Sequence, residues 1–214
     1  WAEEYPEGTA LLWTRENGET KSFTFRQVKE ETDKTAGYFQ SMGIGKGDMV
    51  MLILKRHYAF WFSILALCKI GAIVIPATHM LTKHDVVYRN NIAGIKAIIC
   101  VGDDYVLHQI QASLPDSPTV KILVSVGPQV PPGFHDWHKE RDEAPTFKRP
   151  GQVNTNDDIM LVYFTSGTNG EPKMTAHDFP YPIGHLTTGV FWHNLHKGSI
   201  HLTVADTGWA KAVW

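Results

Sequence analysis

The stretch Tyr163-Phe164-Thr165-Ser166-Gly167-Thr168-Asn169-Gly170-Glu171-Pro172-Lys173 places hydroxyls, glycines and one lysine directly after an apolar run. Such residues can hold phosphate. Ile159 to Phe164 reads as a buried strand, and Gly167 and Gly170 let backbone N–H groups converge. Thr165, Ser166 and Thr168 add hydroxyl donors, Asn169 an amide, and Lys173 a cation. The loop is not a P-loop, which needs Gly-Lys-Ser/Thr entering a helix. Here Glu171 and Pro172 separate Gly170 from Lys173, and Pro172 removes a backbone donor. A serine- and glycine-rich surface turn after a strand is the bland alternative.

The elements that must position this loop alternate along the chain. Ala10–Trp13 and Glu19–Phe23 flank Glu16-Asn17-Gly18 and predict a β-hairpin. Thr24 stands three residues before Gln27, a capping-box spacing, and opens a helix that should stop at Gly43. Gly43-Ile44-Gly45-Lys46-Gly47-Asp48 follows a helix and precedes a strand, the reverse of a nucleotide fingerprint, so it reads as a turn. Strands at Met49–Leu54, Ala72–Ile75, Ala97–Val101 and Ile122–Val126 then alternate with helices near Tyr58–Ile70, Lys83–Asn91 and Asp104–Leu114. Repeated βαβ units predict an α/β fold, a largely parallel sheet covered by helices on both faces. Residues 1–126 form this first part, and 159–214 carry the candidate phosphate loop. Between them 127–158, rich in proline and charge, reads as a long loop or connector.

Composition narrows the function classes. With 43% hydrophobic residues and a formal net charge of -2, the chain is ordinary globular protein and no nucleic-acid binder by charge. Tyr58–Pro76 is the one stretch apolar enough to suggest a membrane span, and Lys69, Gly71 and Pro76 argue against it. No secretory signal pattern opens the chain. Cys68 and Cys100 lie in apolar segments and are expected to be buried thiols in a reducing cytoplasm. His135 and His138 are expected in a solvated loop. Histidines recur at 177, 185, 193, 196 and 201, but only His193 and His196 share a helix-compatible spacing, so no metal site is assigned. A helix is expected from about Pro182 toward Leu195, and a strand at Ile200–Val204.

Thr165-Ser166-Gly167-Thr168-Asn169-Gly170-Glu171-Pro172-Lys173 resembles the signature loop of the adenylate-forming superfamily, with Asn169 where Ser or Thr is usual. Ala205-Asp206-Thr207-Gly208-Trp209, together with Gly43 to Asp48, is similar to the acetyl- and medium-chain acyl-CoA synthetase branch. The resemblance runs from about Phe23 to Trp214 and implies the N-terminal portion of the large AMP-binding (adenylation) domain. It implies a two-step ligase of fatty acid metabolism, in which a small carboxylic acid attacks ATP to give acyl-AMP and pyrophosphate, and the thiol of coenzyme A takes the acyl group. Thr165, Ser166 and Thr168 would then donate to the β- and γ-phosphates, and Gly167 and Gly170 would allow close backbone approach and loop closure. Lys173 would reach phosphate or pair with a carboxylate. Magnesium would bridge phosphates with few protein ligands. Trp209 and Ala210 would wall the acyl pocket; a core tryptophan packed on the sheet is the alternative for Trp209. The chain begins at Trp1 and ends in an apolar segment, so it reads as a piece of a longer protein that lacks the downstream adenine- and ribose-binding motifs and the C-terminal lysine domain. Alone it would be inactive. An adenylation domain loading a carrier-protein thiol, or a phosphate-binding or interaction module without chemistry, would carry the same loop.

Overall fold

The computed structural model describes residues 1–149, 151, 154–167 and 170–213, so Thr168 and Asn169 of the candidate loop lie outside the described residues. Strands β1 (Thr9–Thr14) and β2 (Thr20–Thr24) form an antiparallel hairpin. Its turn carries Gly18 at φ 85°. Thr24 then caps helix α1 (Phe25–Ser41): its hydroxyl accepts from the Gln27 N–H, and the Gln27 side chain accepts from the Thr24 N–H. Two of the orphan donors of a helix start are thereby satisfied. Helix α1 gives way at Gly43, whose φ of 81° suits glycine.

Strands β3 (Met49–Ile53), β4 (Ile73–Pro76), β5 (Ala97–Val101) and β6 (Ile122–Val126) alternate with helices α2 (Ala59–Ile70), α3 (Lys83–Ala93) and α4 (Asp104–Ser113). Among the described residues they join β7 (His135–Asp136), β8 (Ile159–Thr165) and β9 (Lys173–Asp178) in a seven-stranded sheet of order β7-β6-β5-β3-β4-β8-β9, parallel except for the edge strand β9. Alternate strand residues face opposite layers. Val50, Leu52, Val74, Ile99 and Val124 meet α1 and α2, whereas Met51, Ile53, Ile75, Ile98 and Leu123 meet α3 and α4. Burial of each such side chain stabilises by about 1.5–3 kcal/mol, an upper bound because the unfolded chain is already partly collapsed. The α/β architecture with helices on both faces is therefore the expected one.

Three expectations fail. The connector holds structure: strand β7 (His135–Asp136) extends the sheet, and helix α5 (Trp137–Asp142) is capped by the Asp136 carboxylate. His135 lies on that strand, bonded to Glu140 at 2.8 Å, and His138 lies on the helix, so neither is a loop histidine. Helix α6 (Tyr181–Thr187) runs into a π-turn at Thr188–Trp192 and does not reach Leu195. Ile200–Val204 forms no strand: no described strand pairs with it, and Leu202 and Val204 are 81% and 79% exposed. The alternating apolar pattern was real, but a strand also needs a neighbour for its N–H and C=O groups.

Among the described residues no helix is long and apolar enough to cross a membrane. Cys68 and Cys100 are free thiols; burial pushes Cys68 up to about 12 and raises Cys100 further.

His57, between β3 and α2, gives the fold an acid-sensitive point. Burial pushes its imidazole from 6.5 down to about 3, assisted by the charges of His138, Arg15 and Lys21. Its neutral Nδ1 accepts the Ala59 N–H at 3.1 Å. The unfolded imidazole binds a proton below about 6.5 while the folded one stays neutral to about 3, so stability falls as pH drops through that window. The slope is at most about 1.4 kcal/mol per pH unit. Urea unfolding between roughly pH 4 and 6.5 should show this limb flattened in His57→Gln.

Candidate active site

Strand β8 (Ile159–Thr165) is fixed at its start by Asp158, whose carboxylate pairs with Lys46 at 2.8 Å and accepts the Thr155 N–H at 2.6 Å. Its centre is buried from Met160 to Tyr163, and it pairs with β4 in parallel, Val74 opposite Leu161. It emerges at the C-terminal edge of the sheet with Thr165 and Ser166 exposed. The chain returns as β9 (Lys173–Asp178), with Lys173 opposite Thr165. The neck between them is narrow. Thr165 Oγ1 lies 3.4 Å from the Lys173 carbonyl oxygen, and the Glu171 carbonyl oxygen occupies the space a Cβ on Gly167 would need. Gly170 has φ 96°, a conformation that favours glycine. Lys173 is exposed, and no described carboxylate lies within ion-pair distance of it.

Helix α3 braces this hairpin. Tyr88 Oη donates to the Pro172 carbonyl at 2.9 Å, and the Arg89 guanidinium sits 5.0 Å above the Phe164 ring. Arg89 also donates to the Asp85 carbonyl at 3.1 Å. Burial alone would raise the Asp85 carboxyl, but hydrogen bonds from Thr82 and the nearby Arg89 charge hold it below its ordinary value. His84 and Glu171, 4.0 Å apart and both exposed, add little. The brace supports a prediction: Tyr88→Phe loses one hydrogen bond and should lower stability by about 1 kcal/mol in urea unfolding.

The second part of the site lies at the ends of β3 and β4. The connection leaving β3 packs on the α1–α2 face, while those leaving β4 and β5 pack on the other face. Connections that diverge in this way leave a crevice outside the strand ends, where open α/β sheets bind ligands. Residues 206–208 fill part of it. Thr207, 4% exposed, donates its hydroxyl to the Lys55 carbonyl. Gly208 lies so close to the turn after β4 that a Cβ would stand 2.6 Å from the Ala77 carbonyl carbon. Asp206 bonds His79 at 3.0 Å. Lys55 pairs with Asp103 at 2.8 Å, and that hydrogen bond holds the Asp103 carboxyl below the usual range. Trp209 is 60% exposed, so it is not a core tryptophan, and Ala210 packs against Met160, Leu161 and Tyr163 of β8. A cavity of about 970 Å³ opens beside Thr207, walled in part by Trp13, Leu54, Trp61 and Val213. Its size suits a small ligand. Among the described residues no three His, Cys, Asp or Glu side chains converge to hold a metal.

The described loop residues and Ala210 thus meet on one strand, β8, from its end and from its face. The AMP-binding enzyme family matches residues 1–213. The chain belongs to that family. This AMP-binding chain is 30% identical over 211 residues to the mitochondrial acyl-coenzyme A synthetase ACSM5 of Mus musculus, covering 98% of this chain and 36% of that one. It is 30% identical over 207 residues to the acyl-CoA ligase YtcI of Bacillus subtilis, covering 96% and 38%. The acetoacetyl-CoA synthetase of Streptomyces lividans superposes with a TM-score of 0.85 at 19% identity, over 97% of this chain and 34% of that structure. An anthranilate CoA ligase, AuaEII, solved with anthranoyl-AMP, gives 0.78 at 23% identity over 87% and 35%. At these identities the two structures establish the fold. The AMP-binding chain spans a little over a third of the length of the curated relatives it matches.

Sequence reasoning singled out neither Tyr88 nor His79. Tyr88 meets Pro172 across 84 positions, and no local pattern announces that contact. His79 carried one usable signal, a polar ring just beyond the apolar strand Ile73–Pro76.

Proposed function

We propose that the whole protein is an acid–thiol ligase that activates a small carboxylic acid with ATP as acyl-AMP, releases pyrophosphate, and passes the acyl group to coenzyme A. The observation that supports this most is the hydroxyl-rich, narrow-necked loop at the end of β8 with Ala210, which follows the Asp206–Trp209 turn, packed on the same strand. Attack of one anion on another needs positioning and charge neutralisation more than covalent help from the protein. Thr165, Ser166 and Thr168 would donate to the β- and γ-phosphates. The Asn169 amide would take the place of a further hydroxyl, and Gly167 and Gly170 would admit the backbone. Lys173, with no described carboxylate beside it, would face the triphosphate as pyrophosphate leaves. Trp209 and Ala210 would border the acyl group.

Hydroxyls, one ammonium and the single exposed carboxylate of Glu171 do not make an octahedral cage. Magnesium would therefore arrive on the triphosphate. The segment of 214 residues alone, lacking most of the length of its relatives, would not form acyl-AMP. The acyl-coenzyme A synthetase relatives favour a role in fatty acid metabolism. The free thiols of Cys68 and Cys100 favour a reducing compartment such as the cytoplasm.

Mass spectrometry of products from ATP and a panel of short, medium, branched and aromatic acids tests the proposal, with coenzyme A or a pantetheinylated carrier protein as acceptor. Acyl-CoA is expected. Acyl-carrier product alone would assign the protein to carrier loading, and no acyl transfer with any acid would overturn the reading.

A further inference from the structure

We propose that His79 is a positioning residue that sets the acyl-chain preference, by holding the Asp206–Gly208 turn and hence Trp209 against the ends of β3 and β4. The proposal rests on the reading of Trp209 as a wall of the acyl pocket. One carboxylate carries the arrangement. Asp206 Oδ1 accepts the Gly208 N–H at 2.9 Å and closes its own turn, while Oδ2 lies 3.0 Å from His79 Nδ1. An ionised carboxylate can only accept, so Nδ1 is the donor. The Asp206 carbonyl also accepts the Trp209 N–H at 3.0 Å, so the residue that His79 grips is bonded directly to the backbone of Trp209.

The other sides of the turn have no slack. Thr207 is buried with its hydroxyl on the Lys55 carbonyl, and Lys55 holds φ 51°, a left-handed conformation that only a fixed environment maintains in a non-glycine residue. Gly208 lies against backbone, with Thr78 Cα 2.8 Å from where a Cβ would stand. These contacts fix the middle of the turn, and the Asp206 carboxylate is held at Oδ1 by the Gly208 N–H alone. His79 supplies the second hold, at Oδ2. The His79 side chain is 32% exposed and that of Asp206 16%, so the pair lies where a substitution alters orientation without opening the core. It stands beside β4, whereas the phosphate loop is braced separately by Tyr88 of α3. Loss of His79 should therefore reach the acid and spare ATP.

The test uses His79→Ala and His79→Asn in the whole protein, with kcat/KM measured for a homologous series of straight-chain acids and KM for ATP alongside. For His79→Ala the preferred acid should lose about tenfold relative to acids two carbons shorter or longer, with KM for ATP unchanged. His79→Asn, whose amide can donate to Asp206, should recover most of the preference. An unchanged chain-length profile in His79→Ala, or an equal loss for every acid and for ATP, would overturn the proposal. If the unmodified protein forms no acyl-AMP with any acid, the ligase reading fails instead. The positioning claim is then read from tryptic cleavage after Lys211, which should quicken severalfold in His79→Ala and return toward normal in His79→Asn. Equal cleavage rates in all three proteins would overturn it.

Discussion

Replacing Gly167 by alanine is expected to lower kcat/KM for ATP about a hundredfold or more in the whole protein while leaving its thermal midpoint nearly unchanged. The added methyl group would overlap the Glu171 carbonyl oxygen and stand 3.3 Å from its carbon, and both atoms are backbone. They cannot rotate away as a side chain could. The neck between Thr165 and Lys173 must therefore open, carrying the exposed Thr165 and Ser166 hydroxyls off the positions from which they would reach phosphate. A displacement of about an ångström at such a site is enough for a loss of that size. The loop tip is exposed, so the fold should hardly register the change. Gly170→Ala is the matched control: among the described residues nothing lies within 4 Å of its Cβ position, and its φ of 96° costs conformational strain. It should lose far less. Near-normal kinetics in Gly167→Ala would mean that the closed neck plays no part in the chemistry.

Trp137→Ala should lower stability by about 3–5 kcal/mol in urea unfolding. The indole is fully buried on α5 and joins the core that α1, α2 and one sheet face share. The Arg141 guanidinium stacks 3.9 Å above it and pairs at 2.6 Å with Glu31 of α1, its side chain only 9% exposed. Removing the indole would leave both a cavity and a buried cation without its aromatic face. Trp137→Phe should cost much less, because the indole Nε1 has no hydrogen-bond partner among the described residues and nothing polar is orphaned by its loss. A loss below about 1 kcal/mol in Trp137→Ala would show that α5 is an appendage.

Legibility followed the distance over which each signal acts. The Thr24–Gln27 capping box, the glycine that ends α1 and the wholly apolar Ile73–Ile75 are written in neighbouring residues, and the structure reproduces them. The candidate loop was legible for the same reason: its donors, hinges and cation lie within nine positions, from Thr165 to Lys173. The order of strands was not. Nothing local says that β3 lies between β5 and β4, yet that order opens the crevice in which Thr207, Gly208 and His79 meet. Trp137 was hidden by its company: a buried aromatic in a stretch of prolines and charges reads as loop until Arg141 and Glu31 are seen to enclose it. Trp209 left two readings open in the sequence, a pocket wall and a core tryptophan, and its 60% exposure removes the second. Burial is a property of neighbours, and the turn that carries Trp209 finds its neighbours far along the chain, Thr78 beside Gly208 and His79 on Asp206, the latter 127 positions away.

The loop on β8 is expected to serve an acid-dependent attack on the α-phosphate of ATP. Acid-dependent exchange of labelled pyrophosphate into ATP by the whole protein measures that step directly, since it runs acyl-AMP formation in reverse. Exchange that requires a carboxylic acid and falls sharply in Gly167→Ala is the expected result. Exchange that proceeds without acid, or ATP converted to ADP and phosphate in its place, would contradict the account.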